Sequence, residues 1–276
     1  MIGILAALAS CTTMERRAHT YVARLPAPRY AGDTITEADL AGLPEVVQRY
    51  MRYSQVVGKP RIDSFGFVME GRIRQSADGP WMPIVSRQYN LLSEPARIYY
   101  ITSPGTPMSG IDSYLFGEGR MQIRLFNLIP VANVRGPEMD ASALVTFLND
   151  LIVCPIGYFS VPVEWRQLSD TQAKVSLSNR GTTVTATLTF AEDGRLLNWE
   201  SDDRFVEIDG KQLPDRWSTP MSEHAEVNGL RIPVAGSGIH DYDGSPYVYV
   251  ELNRIHDLRW GIRTLPPAPA VGASHL

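Results

Sequence analysis

The 276-residue sequence has few cysteines, no surplus of basic residues and no long hydrophobic run. It contains two Cys, and its 26 Lys and Arg against 30 Asp and Glu give a net charge of −4. Because such a chain cannot neutralise many phosphates, we expect no nucleic-acid partner. Apolar residues make up 44% and charged residues 20% of the chain, a balance that excludes a disordered chain and a polytopic membrane protein.

The sequence also lacks the short motifs of common catalytic and metal sites. It has no HExxH, no CxxC, no Gly-rich phosphate loop and no Gly-x-Ser-x-Gly elbow. His224, His240 and His256 fall in the predicted folded part, but neighbours such as His240 and Asp241 would point to opposite faces of a strand. We therefore predict no catalytic residue, no metal and no cofactor, and we favour a protein that is not an enzyme.

Residues 2–9 are apolar but far fewer than the ~20 residues that span a bilayer. They lead into Leu8-Ala9-Ser10-Cys11, and this order of Leu, two small residues and Cys resembles the lipobox of bacterial lipoproteins. The resemblance implies cleavage before Cys11 and lipidation of its thiol. No Lys or Arg precedes the apolar run, so we expect a basic leader upstream. The alternative is a chance Cys after an apolar stretch.

Composition predicts four segments. Residues 1–11 read as a lipoprotein signal-like segment, and residues 12–42 mix charge, Pro and Gly in the manner of a tether. Residues 43–262 form one β-rich domain, and the Pro-rich residues 263–276 form a disordered tail. Within the domain, Cys154 has no disulfide partner, and we expect it to be a small core residue.

Two amphipathic helices are predicted within this domain. The first begins near Pro44 and ends at a Gly58 cap. Its apolar face comprises Val46, Val47, Tyr50, Met51 and Val57. The second is capped by Asp140 or Ser142 and stopped by Pro155. Its apolar face comprises Leu144, Val145, Leu148, Leu151 and Ile152.

Short β-rich runs broken by turn residues surround the second helix. The clearest is Thr182–Phe190, in which apolar residues alternate with Thr, and turn dipeptides such as Asn228-Gly229 separate later runs. The pattern predicts an α+β, mostly β, fold: a large curved antiparallel sheet, or incomplete barrel, covered by two or more helices. We expect an apolar concave face and a solvent-exposed convex face.

The order of these elements is similar to that of the periplasmic lipoprotein-carrier fold. Short motifs carry a second resemblance: Leu43-Pro44 with Tyr50 and Met51, Trp81-Met82-Pro83 with Gln88, Ser113-Tyr114 with Gly117 and Gly119, Val163-Glu164-Trp165, and Asn228-Gly229-Leu230-Arg231-Ile232-Pro233. From Leu43 to about Trp260 the chain resembles a bacterial envelope family catalogued only as a domain of unknown function. In that family a Glu occupies the position of Asp150, and aromatic residues occupy those of Val153 and Cys154. The resemblance implies no activity.

A broad sheet covered by two helices should retain an apolar gap of several hundred Å³. Aromatic residues suit the wall of such a cavity. The candidate ligand-binding residues are Trp81, Tyr99, Leu148, Asp150, Trp165, Trp199 and Trp217. For Asp150 a buried ion pair with an Arg such as Arg120 or Arg124 is the alternative to a ligand contact.

These observations predict a lipid-anchored protein of the bacterial cell envelope, on the periplasmic side of the outer membrane. Its partners would be membrane lipid, through Cys11, and an apolar small molecule, acyl chain or lipidated protein in the concave face of its sheet. A non-catalytic structural or interaction module with a filled core is the alternative. An uncharacterised hydrolase is a third hypothesis, which would require a His and a carboxylate within hydrogen-bond reach in a cleft.

Overall fold

A computed structural model describes residues 14–29, 32–208 and 210–269 of the chain. The helices are α1 (14–24), α2 (Glu37–Leu40), α3 (Glu45–Tyr53) and α4 (Pro137–Asp150), and a 3-10 helix covers Pro155–Phe159. The strands are β1 (Ser64–Ile73), β2 (Met82–Leu91), β3 (Ala96–Thr102), β4 (Met108–Leu115), β5 (Glu118–Leu125), β6 (Ile129–Val134), β7 (Val163–Gln167), β8 (Gln172–Asn179), β9 (Thr182–Phe190), β10 (Leu196–Ile208), β11 (Lys211–Ser218), β12 (Met221–Val227), β13 (Leu230–Asp241) and β14 (Tyr247–Trp260).

The strands form one antiparallel sheet that curls into a half-barrel, which confirms the predicted fold class. The order is β6-β5-β4-β3-β2-β1-β14-β13-β11-β10-β9-β8-β7, and β12 pairs with β13. Strands β6 and β7 are therefore consecutive in the chain but lie at opposite ends of the sheet. Helix α4 connects them, so it has to cross the sheet, and it packs against β4, β5, β9 and β10 on the concave side.

Strand β9 has the predicted bounds and the predicted alternation. Val184, Ala186, Leu188 and Phe190 are all buried, and they share a core with Trp199 and helices α3 and α4. The turn between β12 and β13 also follows its sequence signal. Asn228 and Gly229 have φ angles of 50° and 71°, the positive values that a tight hairpin turn requires and that Asn and Gly tolerate.

Both predicted helices exist, but details of each prediction are wrong. Helix α4 begins at Pro137 after Gly136, a favourable first position for Pro, so Asp140 and Ser142 lie inside the helix instead of capping it. Helix α3 ends at Tyr53. Because Gln55 adopts a φ of 60°, the chain leaves helical geometry there, and Val56 is buried while Val57 is 36% exposed.

The convex face of the sheet is not uniformly exposed, contrary to expectation. Helix α1, in the region assigned to the tether, places Met14, Ala18, Val22 and Leu25 in a second hydrophobic core. The strand residues of this core are Tyr89, Leu91, Ala96, Ile98, Tyr100 and Ile111, and Leu265 from the assigned tail joins it. On β3 these residues alternate with those of the concave face, so the sheet is sandwiched between apolar layers across β2, β3 and β4.

Candidate functional site

A cavity of about 180 Å³ lies between the concave face of the sheet and helix α4. Its apolar lining comprises Met69, Ile73, Ile101, Met108, Met121, Ile123, Val250 and Leu252. Ile73, Ile101 and Met108 stand where β1 and β3 end and β4 begins. The cavity therefore extends to one rim of the half-barrel, the rim at which the β1–β2 and β3–β4 turns lie.

Alternation along the strands decides which side chains reach the cavity. Arg97, Tyr99 and Ile101 occupy every second position of β3 and face inward. On β4, Gly110 faces the same side of the sheet as its cross-strand partner Ile101. A Cβ atom at residue 110 would lie 3.0 Å from the Ile101 Cγ2 atom, so the glycine allows the Ile101 side chain to pack closely against β4.

A buried ionic network forms one wall of the cavity. The Arg97 guanidinium donates hydrogen bonds to Asp150 Oδ2 at 2.8 Å and to Asp112 Oδ2 at 2.7 Å. A longer bond of 3.3 Å reaches Gln88 Oε1. Asn90 Nδ2 also donates to Asp150 Oδ2, at 3.3 Å. One buried cation therefore pairs with two carboxylates, the nearly buried Asp150 and the partly buried Asp112.

Burial has the largest effect on the Asp150 carboxyl of this network. It raises the pKa of Asp150 above its ordinary value, although the adjacent Arg97 opposes the rise. The Asp112 Oδ1 atom is buried and accepts no hydrogen bond from the described residues. One carboxylate oxygen of the network is therefore left without a donor among the described residues.

Arg204, Trp217 and Asn149 form another part of the cavity wall. The Arg204 guanidinium lies 4.0 Å from the centroid of the Trp217 ring, a cation–π distance. Its Nη1 atom is 3.5 Å from Thr146 Oγ1, at the limit of a hydrogen bond. Asn149 Oδ1 accepts a hydrogen bond from Thr219 Oγ1 at 3.1 Å and lies 3.5 Å from Trp217 Nε1.

A β-bulge explains why Arg204 faces the cavity. Ser201 pairs with Trp217 and Arg204 with Asp215, so β10 uses one more residue than β11 over this stretch. The extra residue reverses the alternation. Arg204 is consequently brought to the same face of the sheet as Trp217.

Three of the predicted ligand-binding residues line the cavity, namely Tyr99, Asp150 and Trp217. Four do not. Trp81 precedes β2 and stacks on Arg72 and Arg74. Leu148 and Trp199 are fully buried in the core, and Trp165 packs against Tyr158 with ring centroids 5.1 Å apart. Sequence reasoning missed Arg97, Asn149 and Arg204.

The predicted partners of Asp150 are wrong, because Arg97 forms the ion pair. Arg120 instead donates to Asn133, and Arg124 to the Asn127 carbonyl oxygen. Arg97 is presented to Asp150 by an inward-facing position of β3, which lies beside the C-terminal end of α4. Pairing here depends on the fold and not on distance along the chain.

The structure tests the prediction for one of the two cysteines. Cys154 is fully buried and free, as expected for a small core residue, and burial raises the pKa of its thiol. Cys11 lies outside the described residues. Its lipidation stays a prediction.

Two of the histidines, His240 and His256, pair with carboxylates distant in sequence. His240 Nδ1 lies 2.6 Å from Asp215 Oδ2, with both side chains buried, and His256 Nε2 lies 2.8 Å from Glu70 Oε1. None of these four residues lines the cavity. In the described part of the chain no group of three His, Cys, Asp or Glu side chains is placed to hold a metal ion.

Comparison with known proteins identifies the family. The described helices include none that combines the length and apolarity needed to cross a membrane. No curated protein matches the sequence. Residues 33–252 match the profile described as a family of unknown function, DUF6544, in agreement with the resemblance found in the sequence. This match covers most of the chain, and the protein therefore belongs to the DUF6544 family.

Proposed function

We propose that this protein binds an apolar small molecule or acyl chain in the cavity between its sheet and α4. The observation that carries the proposal is the cavity, with its apolar lining and its position at the rim. Its volume of about 180 Å³ is comparable with the ~150 Å³ of an engineered apolar cavity that binds benzene. It is smaller than the several hundred Å³ expected from the sequence, because α4 and the ionic network fill much of the concavity.

Binding of a fluorescent fatty acid tests this proposal. Ile101 is half-buried and faces the cavity, so Ile101→Trp should fill the space and abolish probe binding. Val131→Trp is the matched control, since it adds the same indole at an exposed position of β6. Leu148→Trp is unsuitable, because Leu148 lies in the core. Failure of every apolar probe to bind the wild-type protein would remove the proposal.

We further propose that the protein is a lipoprotein of the bacterial cell envelope, anchored through Cys11. Support comes from the lipobox-like Leu8-Ala9-Ser10-Cys11. Expressed in a bacterium behind a basic leader, the wild-type chain should sediment with membranes and carry acyl chains on residue 11. Each buried CH₂ of those chains contributes about 0.8 kcal/mol to membrane binding. Cys11→Ser should be found in the soluble fraction, and an unmodified Cys11 in the mature wild type would contradict the proposal.

An interaction module is the second candidate, and one observation favours it. Leu128, Ile129 and Val131 are 71%, 57% and 57% exposed, and β6 ends the sheet order. An apolar edge strand is a surface to which another chain can add. If no apolar probe binds the wild type and Ile129→Lys abolishes the binding of another protein chain at this edge, the interaction module replaces ligand binding as the proposed function.

A further inference from the structure

Arg204 is a cavity-facing cation that forms no ion pair in the described part of the chain, although the nearby Asp215 and Asp112 carboxylates attract it electrostatically. Asp112 and Asp150 pair with Arg97, and Asp215 pairs with His240. The Arg204 Nε atom is buried and has no hydrogen-bond partner among the described residues. Since charges removed from water are normally paired, this guanidinium has unused capacity to bind an anion.

The buried Arg97 and Arg87 provide a contrast within the same sheet. Arg97 contacts two carboxylates, and Arg87 contacts Glu15 of helix α1. Arg204 is instead held by the Trp217 ring and by a weak contact to Thr146. These two contacts position the guanidinium but do not neutralise it.

Asn149 supplies a second free donor beside Arg204. Its side chain is about nine-tenths buried, and its Nδ2 atom has no partner in the described structure. Thr219 Oγ1 donates to its Oδ1 atom, which fixes the amide with Nδ2 unused. Thr146 and Asn149 are three residues apart on α4 and so share a helix face. Trp217 lies within 4.0 Å of both the Arg204 guanidinium and the Asn149 amide.

We propose that Arg204 and Asn149 bind the carboxylate of an amphipathic acid whose apolar chain occupies the cavity toward Ile101 and Ile123. This inference rests on the proposed function and names the chemical class of its ligand. An Arg guanidinium binds a carboxylate through two parallel hydrogen bonds, and an amide N–H can add a third. The apolar lining provides no comparable partner for a head group, so the two donors determine the orientation of the ligand.

Calorimetric titration with octanoate, octanol and octylamine tests the head group at constant chain length. Hydrogen bonds to charged groups are strong enough to favour octanoate over octanol by about tenfold or more. Arg204→Gln should reduce octanoate affinity to that of octanol and leave octanol binding unchanged. Arg216→Gln is the control, because Arg216 lies on the neighbouring strand and pairs with the exposed Asp202.

Asn149→Asp is a second variant that preserves shape. The new carboxylate can still accept the hydrogen bond from Thr219, but it replaces the free N–H donor with a negative oxygen. We expect octanoate binding to fall by at least tenfold while octanol binding persists, which also shows that the variant is folded.

The outcomes separate this inference from the proposed function. Equal binding of octanoate and octanol to the wild type would overturn the head-group assignment and leave the apolar site intact. Tighter binding of octylamine would overturn it too, and would indicate that the free Asp112 oxygen recognises the ligand. If none of the three binds, the proposed function itself falls.

Discussion

Substitutions in the Arg97 network should have strongly unequal effects on stability. Arg97→Met removes the only cation in contact with Asp112 and Asp150 in the described structure, so the nearly buried Asp150 and the partly buried Asp112 both lose their ion-pair partner. Such a loss costs about 3–5 kcal/mol, a large part of a typical stability of about 5–15 kcal/mol. Asp150→Asn leaves Arg97 paired with Asp112 and keeps an oxygen that can accept the Arg97 hydrogen bond. Its cost should therefore be about 1.5 kcal/mol or less.

Urea unfolding at pH 7 measures both variants and the double variant. Adding Asp150→Asn to Arg97→Met should restore part of the lost stability, because it removes one of the two uncompensated charges. The reasoning would be refuted if Asp150→Asn alone cost as much as Arg97→Met, or if Arg97→Met cost less than about 1 kcal/mol.

The pH dependence of the same pair provides an independent check. Because burial raises the pKa of Asp150 in the folded protein, the folded state holds a proton at pH values where the unfolded chain has lost it. Stability due to this group is complete below the unfolded pKa and decreases as pH rises through the folded one. The wild type should thus lose stability relative to Asp150→Asn as pH increases from about 4. The opposite slope would show that the ion pair outweighs burial.

Three further predictions concern regions outside the cavity. Gly119→Ala should cost about 1–3 kcal/mol in thermal unfolding, because a Cβ atom there would overlap the Met139 carbonyl oxygen of α4; wild-type stability would show that the two elements separate easily. Val22→Ala should cost about 1.5 kcal/mol, at ~0.8 kcal/mol per buried carbon, if α1 packs on the sheet in solution, whereas no change would mean that α1 is detached. Burial lowers the pKa of His224 to about 4, so the free energy of unfolding should fall as pH decreases from 6.5 toward 4. His224→Phe should weaken that fall in pH-dependent urea unfolding and leave probe binding intact. An unchanged loss of stability at acid pH in this variant would exclude His224 as its source.

Parts of the sheet could be predicted from the sequence where the structure depends only on residues that are close together in the chain. Strand β9 alternates strictly between apolar residues and Thr. Asn228-Gly229 supplies the positive φ angles of the hairpin between β12 and β13. Helix α1 was missed, although Met14, Ala18, Val22 and Leu25 follow helical spacing. The charged residues between these four positions favoured a tether. The burial of the four apolar residues is explained only by the apolar convex face of β2, β3 and β4.

The candidate site was less predictable, because its residues meet through long-range pairing. Asp150 was identified from its apolar neighbours on a helix, but its partner Arg97 is fixed by the position of β3 beside α4. Arg204 follows no signal in the local pattern, since the bulge after Ser201 reverses its direction. Trp165 and Trp199 were predicted to bind the ligand because they are aromatic. Residue type alone cannot identify a cavity wall, because aromatic residues on a sheet pack into a core as readily as they line a cavity.

Mass spectrometry of the purified folded protein tests the central claim most directly. The wild type, Ile101→Trp and Val131→Trp would be expressed separately in the same bacterial host, purified under identical conditions and extracted for bound small molecules. The account predicts an amphipathic acid near one equivalent in the wild type and its loss in Ile101→Trp, with Val131→Trp matching the wild type. Equal amounts of bound apolar material in all three proteins, or none in the wild type together with no uptake of added octanoate or octanol, would contradict a ligand site in the cavity.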